Sequence, residues 1–235
     1  MDKFIILKPN DKLLLKEFYK LYSQAFPDDN ERESLANLTY YLSKKDDKNK
    51  YHILVLKRDN VIVGGGIFDY LSKISSGIIE YIFVDKTIQQ RGMGKLILSE
   101  VLKILKQDAE KDGKTFKYLF CEIDDPKYRR LDDRYYFSFW KKNGLKKLDF
   151  NYFQPPLEEG KDIVDKLFIV VKPQDNSKQS IDREELKTFL ESFFEFCFEI
   201  DHARESEIFK KNTNCLPQKI NLIPLEMYDT KQLDK

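Results

Sequence analysis

The stretch Ile78-Ile79-Glu80-Tyr81-Ile82-Phe83-Val84-Asp85-Lys86-Thr87-Ile88-Gln89-Gln90-Arg91-Gly92-Met93-Gly94-Lys95 decides the fold. Its first half is apolar except for Glu80 and reads as a strand. Beyond Lys95, residues Leu98, Val101, Leu102, Leu105 and Ala109 recur at helical spacing and predict a long amphipathic helix that ends near Asp112-Gly113. A strand that turns into a helix leaves the first amides of that helix without acceptors, and the macrodipole adds about half a positive charge there. Gly92 and Gly94 carry no Cβ, so an anion as bulky as a diphosphate can approach the main chain, while Arg91 and Lys95 offer side-chain charge. Each helix-end contact is worth only ~0.3–2 kcal/mol. A ligand held here therefore needs further contacts, such as an extended arm hydrogen-bonded to the end of the strand over 81–84.

Two other glycine-rich readings fail. A phosphate-binding loop of the Gly-x-x-x-x-Gly-Lys-Ser/Thr type needs a glycine and a hydroxyl where this chain has Gln89 and Leu96. A dinucleotide fingerprint needs Gly-x-Gly-x-x-Gly within a βαβ unit, and neither the spacing nor the preceding segments match. A plain glycine turn before a helix is the bland alternative.

Working upstream, residues 4–7 form a short strand, and Pro9-Asn10-Asp11 opens a helix that buries Leu14, Phe18, Leu21, Tyr22 and Ala25. A second helix carries Leu35, Leu38 and Leu42, and 44–50 is a charged loop. Extended segments over 51–56, 61–70 and 77–84, separated by Asp59-Asn60 and by 72–77, predict consecutive antiparallel hairpins. Gly64-Gly65-Gly66 interrupts the middle one and marks a bulge or a close backbone approach.

Downstream, a strand over 118–123 stops at Asp124-Asp125-Pro126, and a helix over about 131–142 ends at Asn143-Gly144. Strands over 145–152 and 163–171 follow, joined through Pro155-Pro156. Residues 172–180 are polar and read as a linker. Beyond it, Asp182 and Glu185 suggest a helix cap, and Leu186, Phe189, Leu190, Phe193, Phe194 and Cys197 form a wide apolar stripe that must be covered. The plain expectation is a first domain over 1–172 with a C-terminal helical extension over 173–235 packed on it. The sharper one is that the stripe forms a homodimer interface. Residues 220–225 could add an edge strand, Pro224 arguing against a central one.

With 41 basic and 40 acidic residues the net charge is +1, so no global field favours nucleic acid or an anionic membrane. Cys121, Cys197 and Cys215 are odd in number and lack zinc-like spacing; they read as reduced thiols of a cytoplasmic protein, and no metal is expected. No apolar run approaches a membrane span.

The order strand, two helices, three antiparallel strands, Gln89-x-x-Gly92-x-Gly94 helix, strand, helix, strand resembles the GCN5-related N-acetyltransferase (GNAT) family over about residues 3–171. The resemblance implies an α+β fold: a mixed, mostly antiparallel sheet flanked by helices, splayed between the strand before the motif and the strand over 118–123. It also implies acetyl-CoA as cosubstrate and an amine acceptor, either a small molecule or a protein N-terminus or lysine. Ile82, Phe83 and Val84 would meet the pantetheine arm. Gln89, Gln90, Arg91, Gly92, Met93, Gly94 and Lys95 would surround the pyrophosphate, with Trp140 packing beside the arm. Transfer would be direct, without a covalent enzyme intermediate.

An amine of pKa ~10.4 is protonated near neutrality, and keeping it neutral at pH ~7.4 costs about 4 kcal/mol. A general base or desolvation must supply that. Strand alternation puts Glu80, Ile82 and Val84 on one face, which makes Glu80 the first candidate base, with a carboxylate pKa raised by apolar neighbours. Glu122 on the neighbouring strand is the second; either could instead bind the cationic end of a substrate. The family's thiolate-protonating tyrosine is replaced here, in Phe139-Trp140-Lys141-Lys142-Asn143-Gly144-Leu145, by Trp140; Tyr135 or Tyr136 one turn earlier could substitute. Loss of that tyrosine leaves open a second class of function, a non-catalytic acyl-CoA-binding or sensing module that self-associates.

Overall fold

The computed structural model describes residues 2–89, 92–125 and 134–225. It has the expected class, a mixed and mostly antiparallel sheet flanked by helices. The chain divides into two compact units. The first comprises Met1–Ser72, Gly77–Phe116 and Leu157–Lys161; the second comprises Lys73–Ser76, Lys117–Pro156 and Asp162–Lys235.

In the first unit the order is β1 (Asp2–Ile6), α1 (Lys12–Ala25), α2 (Leu35–Ser43), β2 (Lys50–Arg58), β3 (Val61–Leu71), β4 (Ser76–Val84) and α3 (Met93–Lys111). The strands lie in the order β1-β2-β3-β4. Asp59 and Asn60 both take positive φ, 48° and 65°, which suits the twist of a two-residue hairpin turn between β2 and β3. Register shifts between Leu56 and Lys57, so that Leu56 faces Gly64 while Lys57 faces Ile62, and the bulge falls beside the glycine run. The glycines also permit close approach: a Cβ on Gly65 would lie 2.2 Å from the Leu54 carbonyl oxygen and 2.8 Å from Phe18.

Leu15, Phe18 and Tyr22 of α1 and Leu38 of α2 bury against Ile53, Val55, Ile67, Tyr81 and Phe83 on one side of these strands. Met93, Ile97, Leu98, Val101, Leu105 and Ala109 form the buried stripe of α3, and a Cβ on Gly64 would lie 3.2 Å from Ile97 on that opposite side. Ser34 caps α2, its Oγ accepting from the Asn37 amide at 3.1 Å.

The second unit contains β5 (Tyr118–Asp124), α4 (Arg134–Lys142), β6 (Lys146–Leu148), β7 (Leu167–Pro173), β8 (Ser180–Asp182), α5 (Arg183–Cys197), α6 (Glu207–Thr213) and β9 (Lys219–Pro224), with strands ordered β5-β7-β6-β9-β8. The start of the expected helix at 131 lies outside the described residues; the helix stops as expected, with Gly144 at φ 79°.

Three expectations need correcting here. β9 is not an edge strand, because it pairs with β6 on one side and β8 on the other; Pro224 is tolerated as its terminal residue, opposite Lys146. The outer place belongs to β8, whose first residue, Ser180, falls in what reads as linker. Asp182 occupies the N-cap position of α5 but makes no side-chain cap bond. The apolar stripe of α5 is covered within this unit: Phe189 stacks on Phe120 of β5 with ring centroids 3.8 Å apart, and Phe193 stacks on Phe189 at 5.6 Å.

Candidate functional site

At the end of β4 the chain makes one short turn of 3-10 helix, Lys86–Ile88, capped by Asp85, whose Oδ1 accepts from the Thr87 amide at 2.8 Å and from Thr87 Oγ1 at 2.7 Å. Those bonds hold the Asp85 carboxyl below its ordinary range. Gln89 Nε2 reaches back to the Val84 carbonyl at 3.1 Å and fixes the end of the strand. Gln90 and Arg91 lie outside the described residues.

Gly92 then takes φ 80°, the left-handed conformation that disfavours a Cβ, and becomes the N-cap of α3. Leu96 donates to the Gly92 carbonyl at 3.1 Å as the first rung of the helix, which leaves the Met93, Gly94 and Lys95 amides ahead of the ladder. No side chain among the described residues caps this end. The Met93 side chain turns inward, its sulfur receiving Arg58 Nη2 at 3.1 Å, so only its amide faces outward chemistry. Lys95 is exposed.

Along β4, strict alternation breaks. A Cβ on Gly77 would meet Leu105 of α3, yet Tyr81 and Phe83, of the same parity, pack on the α1 side, where Tyr81 meets Tyr22 at 5.0 Å and Phe83 meets Phe18 at 5.2 Å. Between them one residue is absorbed, as in a bulge. The Glu80 carboxylate comes within 4.8 Å of that of Asp69. Asp69 lies opposite Tyr51 in the β2–β3 ladder, and Tyr51 stacks on Tyr41 of α2 at 5.4 Å. Glu80 therefore shares the α1–α2 side with Tyr81, and the expectation that it sides with Ile82 and Val84 is wrong.

This side of the first unit holds a buried polar cluster. Asp69 is wholly buried and Glu33 is 2 % exposed. The Glu33 amide donates to Tyr22 Oη at 2.8 Å, and Asn37 Nδ2 donates to Glu33 Oε2 at 2.6 Å. Burial pushes the Glu33 carboxyl up to about 7, against the Asn37 bond that lowers it, with the Glu158 and Asp69 charges adding to the rise. The Tyr51 hydroxyl oxygen is shut off from solvent and has no hydrogen-bond partner among the described residues. Burial first, then the negative charges of Glu80, Asp69 and Glu33, raise its pKa well above the ordinary phenol value. The same forces act on Tyr81: burial, then Tyr22, Glu33 and Glu80.

The second unit holds the remaining predicted residues. Glu122 on β5 is half-buried and engaged at both oxygens: Tyr152 Oη donates to its Oε1, and Gln154 Nε2 donates to its Oε2 at 2.9 Å. Burial pushes its carboxyl up to about 7 against those two donors. Tyr136 is half-buried on α4 and meets Trp140, one turn on, edge-to-face at 6.1 Å. Trp140 is 1 % exposed, and its indole N–H has no partner among the described residues.

The structure thus brings together, in one unit, Glu80, Ile82, Phe83, Val84, Gln89, Gly92, Met93, Gly94 and Lys95. Sequence reasoning missed Tyr51, Glu33 and Asp69, as well as the donors Tyr152 and Gln154. Only Asp69 left a signal, a lone carboxylate inside the apolar run Ile67-Phe68-Asp69-Tyr70-Leu71.

Antiparallel strands thus run into a glycine-started helix whose first-turn amides stand ahead of the helix ladder. The model of the acetyltransferase (GNAT) family matches residues 15–143, more than half of the chain, and the chain belongs to that family, whose members are acetyltransferases that use acetyl-CoA. No curated protein sequence matches the chain. Among solved structures, the chain is similar to a protein assigned to the GNAT family from Bacteroides thetaiotaomicron, with a TM-score of 0.64 at 18% identity, covering 85% of this chain and 99% of that one. It is similar to a tandem GNAT protein from the clavulanic acid biosynthesis pathway, with a TM-score of 0.53 at 14% identity over 66% of this chain and 46% of that one. It is also similar to Ard1 from Thermoplasma volcanium, with a TM-score of 0.50 at 12% identity over 73% and 97%. These likenesses bear on the fold. No helix among the described residues is long and apolar enough to cross a membrane.

Proposed function

We propose that this chain is an N-acetyltransferase that moves the acetyl group of acetyl-CoA directly onto an amine acceptor, with Glu80 as general base. The observation that carries the reading is the start of α3 beyond Gly92, which no side chain among the described residues caps. Three amides ahead of the helix ladder, together with the exposed Lys95 ammonium, fit a diphosphate. Backbone groups of Ile82, Phe83 and Val84 would hold the pantetheine arm in the manner of an added strand. Gln89, bound to the Val84 carbonyl, keeps that strand end in register with the helix start.

Glu80 is favoured over Glu122 as base because both oxygens of Glu122 already accept hydrogen bonds, from Tyr152 and Gln154. Glu80 takes the proton of the incoming ammonium, directly or through water, and the neutral nitrogen attacks the thioester carbonyl carbon. The carbon–sulfur bond breaks, CoA leaves as a thiolate, and the nitrogen gives up its second proton to solvent as the amide forms. Trp140 has no phenolic proton to offer that thiolate, so Tyr136 or solvent supplies it.

Titration calorimetry with acetyl-CoA, combined with a thiol-release assay against a panel of amines, tests the reading. Tight binding with acceptor-dependent CoA release is expected. Glu80→Gln should leave acetyl-CoA binding intact while lowering turnover by ~100-fold or more and flattening its alkaline rise. An unchanged pH–rate profile removes Glu80 from the role; binding without release for any amine turns the reading to a sensing module.

A further inference from the structure

The polar cluster beside Glu80 is more than one general base requires. From α1 it receives Tyr22; from the segment before α2, Glu33; from β2, Tyr51; from β3, Asp69; and from β4, Glu80 and Tyr81. The 157–161 segment adds Glu158 and Lys161. The positive charge of Lys161 acts on Glu33, but its Nζ donates to the Arg32 carbonyl at 2.7 Å and lies 3.8 Å from Glu158. The carboxylates of Asp69 and Glu80 thus lie within 4.8 Å of each other, the charge of Glu33 acts on the same tyrosines, and the lysine beside them is engaged.

Acids alone would not make a site. The Tyr51 hydroxyl is the second, independent feature: it is buried among these charges and no described residue bonds it. A buried hydroxyl without a partner loses its hydrogen bond to water and gains none in return, so such a group calls for an occupant. A guest that donates to Tyr51 Oη, carries positive charge for Asp69 and Glu33, and lies against aromatic faces is an alkylammonium.

We propose that the acceptor carries a second ammonium group on a short aliphatic spacer, and that Glu33, Asp69 and Tyr51 hold this second charge while the first nitrogen is presented to Glu80. The inference rests on the acetyl-transfer reading for the identity of the first nitrogen, but recognition of the second is separately measurable. Asp69, Glu33 and Tyr51 touch the unreactive end and act as specificity determinants. The chemistry is shared by free aliphatic polyamines and by a lysine side chain next to a reactive amine on a peptide.

The test compares butylamine with putrescine, which differ only in the second amine, and adds spermidine and a lysine-bearing peptide, by thiol release with acetyl-CoA. Putrescine or spermidine is expected to exceed butylamine in kcat/KM by ~100-fold. Tyr51→Phe and Glu33→Gln, both close to isosteric, should each cut that ratio by ~10-fold. Polyamine should also raise the Tm of the wild-type protein without acetyl-CoA, and raise it less in both variants. Preference for the peptide over free polyamines supports the second-ammonium site and assigns it to a polypeptide. Equal use of butylamine and putrescine, with no Tm response to polyamine, overturns the inference while leaving acetyl transfer standing. If no amine releases CoA although acetyl-CoA binds, acetyl transfer fails, and the Tm response alone decides whether the cluster takes a dication.

Discussion

The backbone amide of Glu33 donates to the hydroxyl oxygen of Tyr22 at 2.8 Å, and Tyr22 is itself wholly buried among Phe18, Phe26, Tyr81 and Phe83. This bond draws the chain between α1 and α2 inward and fixes a carboxyl-bearing residue where water does not reach. The acceptor specificity proposed above depends on that anchoring.

A pH dependence of stability follows. The Glu33 carboxyl goes from an ordinary value of 4.5 to about 7 on folding, chiefly by burial. An acid whose folded pKa is raised binds its proton more tightly when folded, so its stabilising contribution is complete below about pH 4.5 and is lost as pH rises through about 7. The shift corresponds to at most roughly 3 kcal/mol. Glu122, also raised to about 7 by burial, acts in the same direction over the same window. Chemical denaturation from pH 4.5 to 8 should show stability falling with pH, with a shallower fall in Glu33→Gln, whose amide oxygen can still accept from Asn37. Identical slopes for variant and wild type would mean that Glu33 does not titrate in this range.

Gly92→Ala separates backbone conformation from crowding. Beyond its chain neighbours, no atom of the described residues lies within 4 Å of the Cβ position, so the φ of 80° is what resists the substitution, at ~1–2 kcal/mol. Either the chain keeps that conformation and loses this much stability, or it relaxes and tilts the first-turn amides. Affinity for acetyl-CoA should drop by up to ~10-fold with the fold intact by circular dichroism, and Gly92→Asn should be milder because asparagine tolerates the left-handed region. Full affinity in the alanine variant would place the diphosphate elsewhere.

Gly65→Ala should behave in the opposite way, damaging the fold before the ligand. Its Cβ would stand 2.2 Å from a main-chain oxygen of the paired strand β2, which cannot move without opening the ladder. A loss of ~3 kcal/mol or more is expected in denaturant, with whatever protein remains folded binding acetyl-CoA normally. A loss below ~1 kcal/mol would show that β2 and β3 can part locally.

Three other features were legible in the sequence. The turn at Asp59-Asn60, the bulge beside Gly64 and the stripe from Leu98 to Ala109 rest on local rules of turn chemistry and periodicity, and each takes the form those rules predict. The direction of Glu80 was not legible, because a single absorbed residue in β4 reverses the face of everything after it while leaving the composition of the strand unchanged. The central place of β9 escaped for a related reason: a terminal proline costs no interior ladder bond, so Pro224 carries less information than its presence suggests. Glu33 follows a polar segment with no periodicity, and only the tertiary bond from its amide to Tyr22 gives it a role.

The aromatic stack of the second unit gives the last prediction. Phe189 is wholly buried, 3.8 Å from Phe120 and 5.6 Å from Phe193 by ring centroid. Truncation to alanine removes a full ring from a packed interior and should cost about 3–5 kcal/mol. If the stripe on α5 serves this unit alone, that loss is independent of protein concentration, and sedimentation of Phe189→Ala and of the wild type should agree. If the stripe also joins two copies, the loss should grow on dilution and the variant should dissociate. A double-mutant cycle with Phe120→Leu isolates the stacking itself, expected at ~0.5–1.5 kcal/mol. A coupling near zero would mean that burial of the two rings, rather than their mutual geometry, fixes α5 against β5.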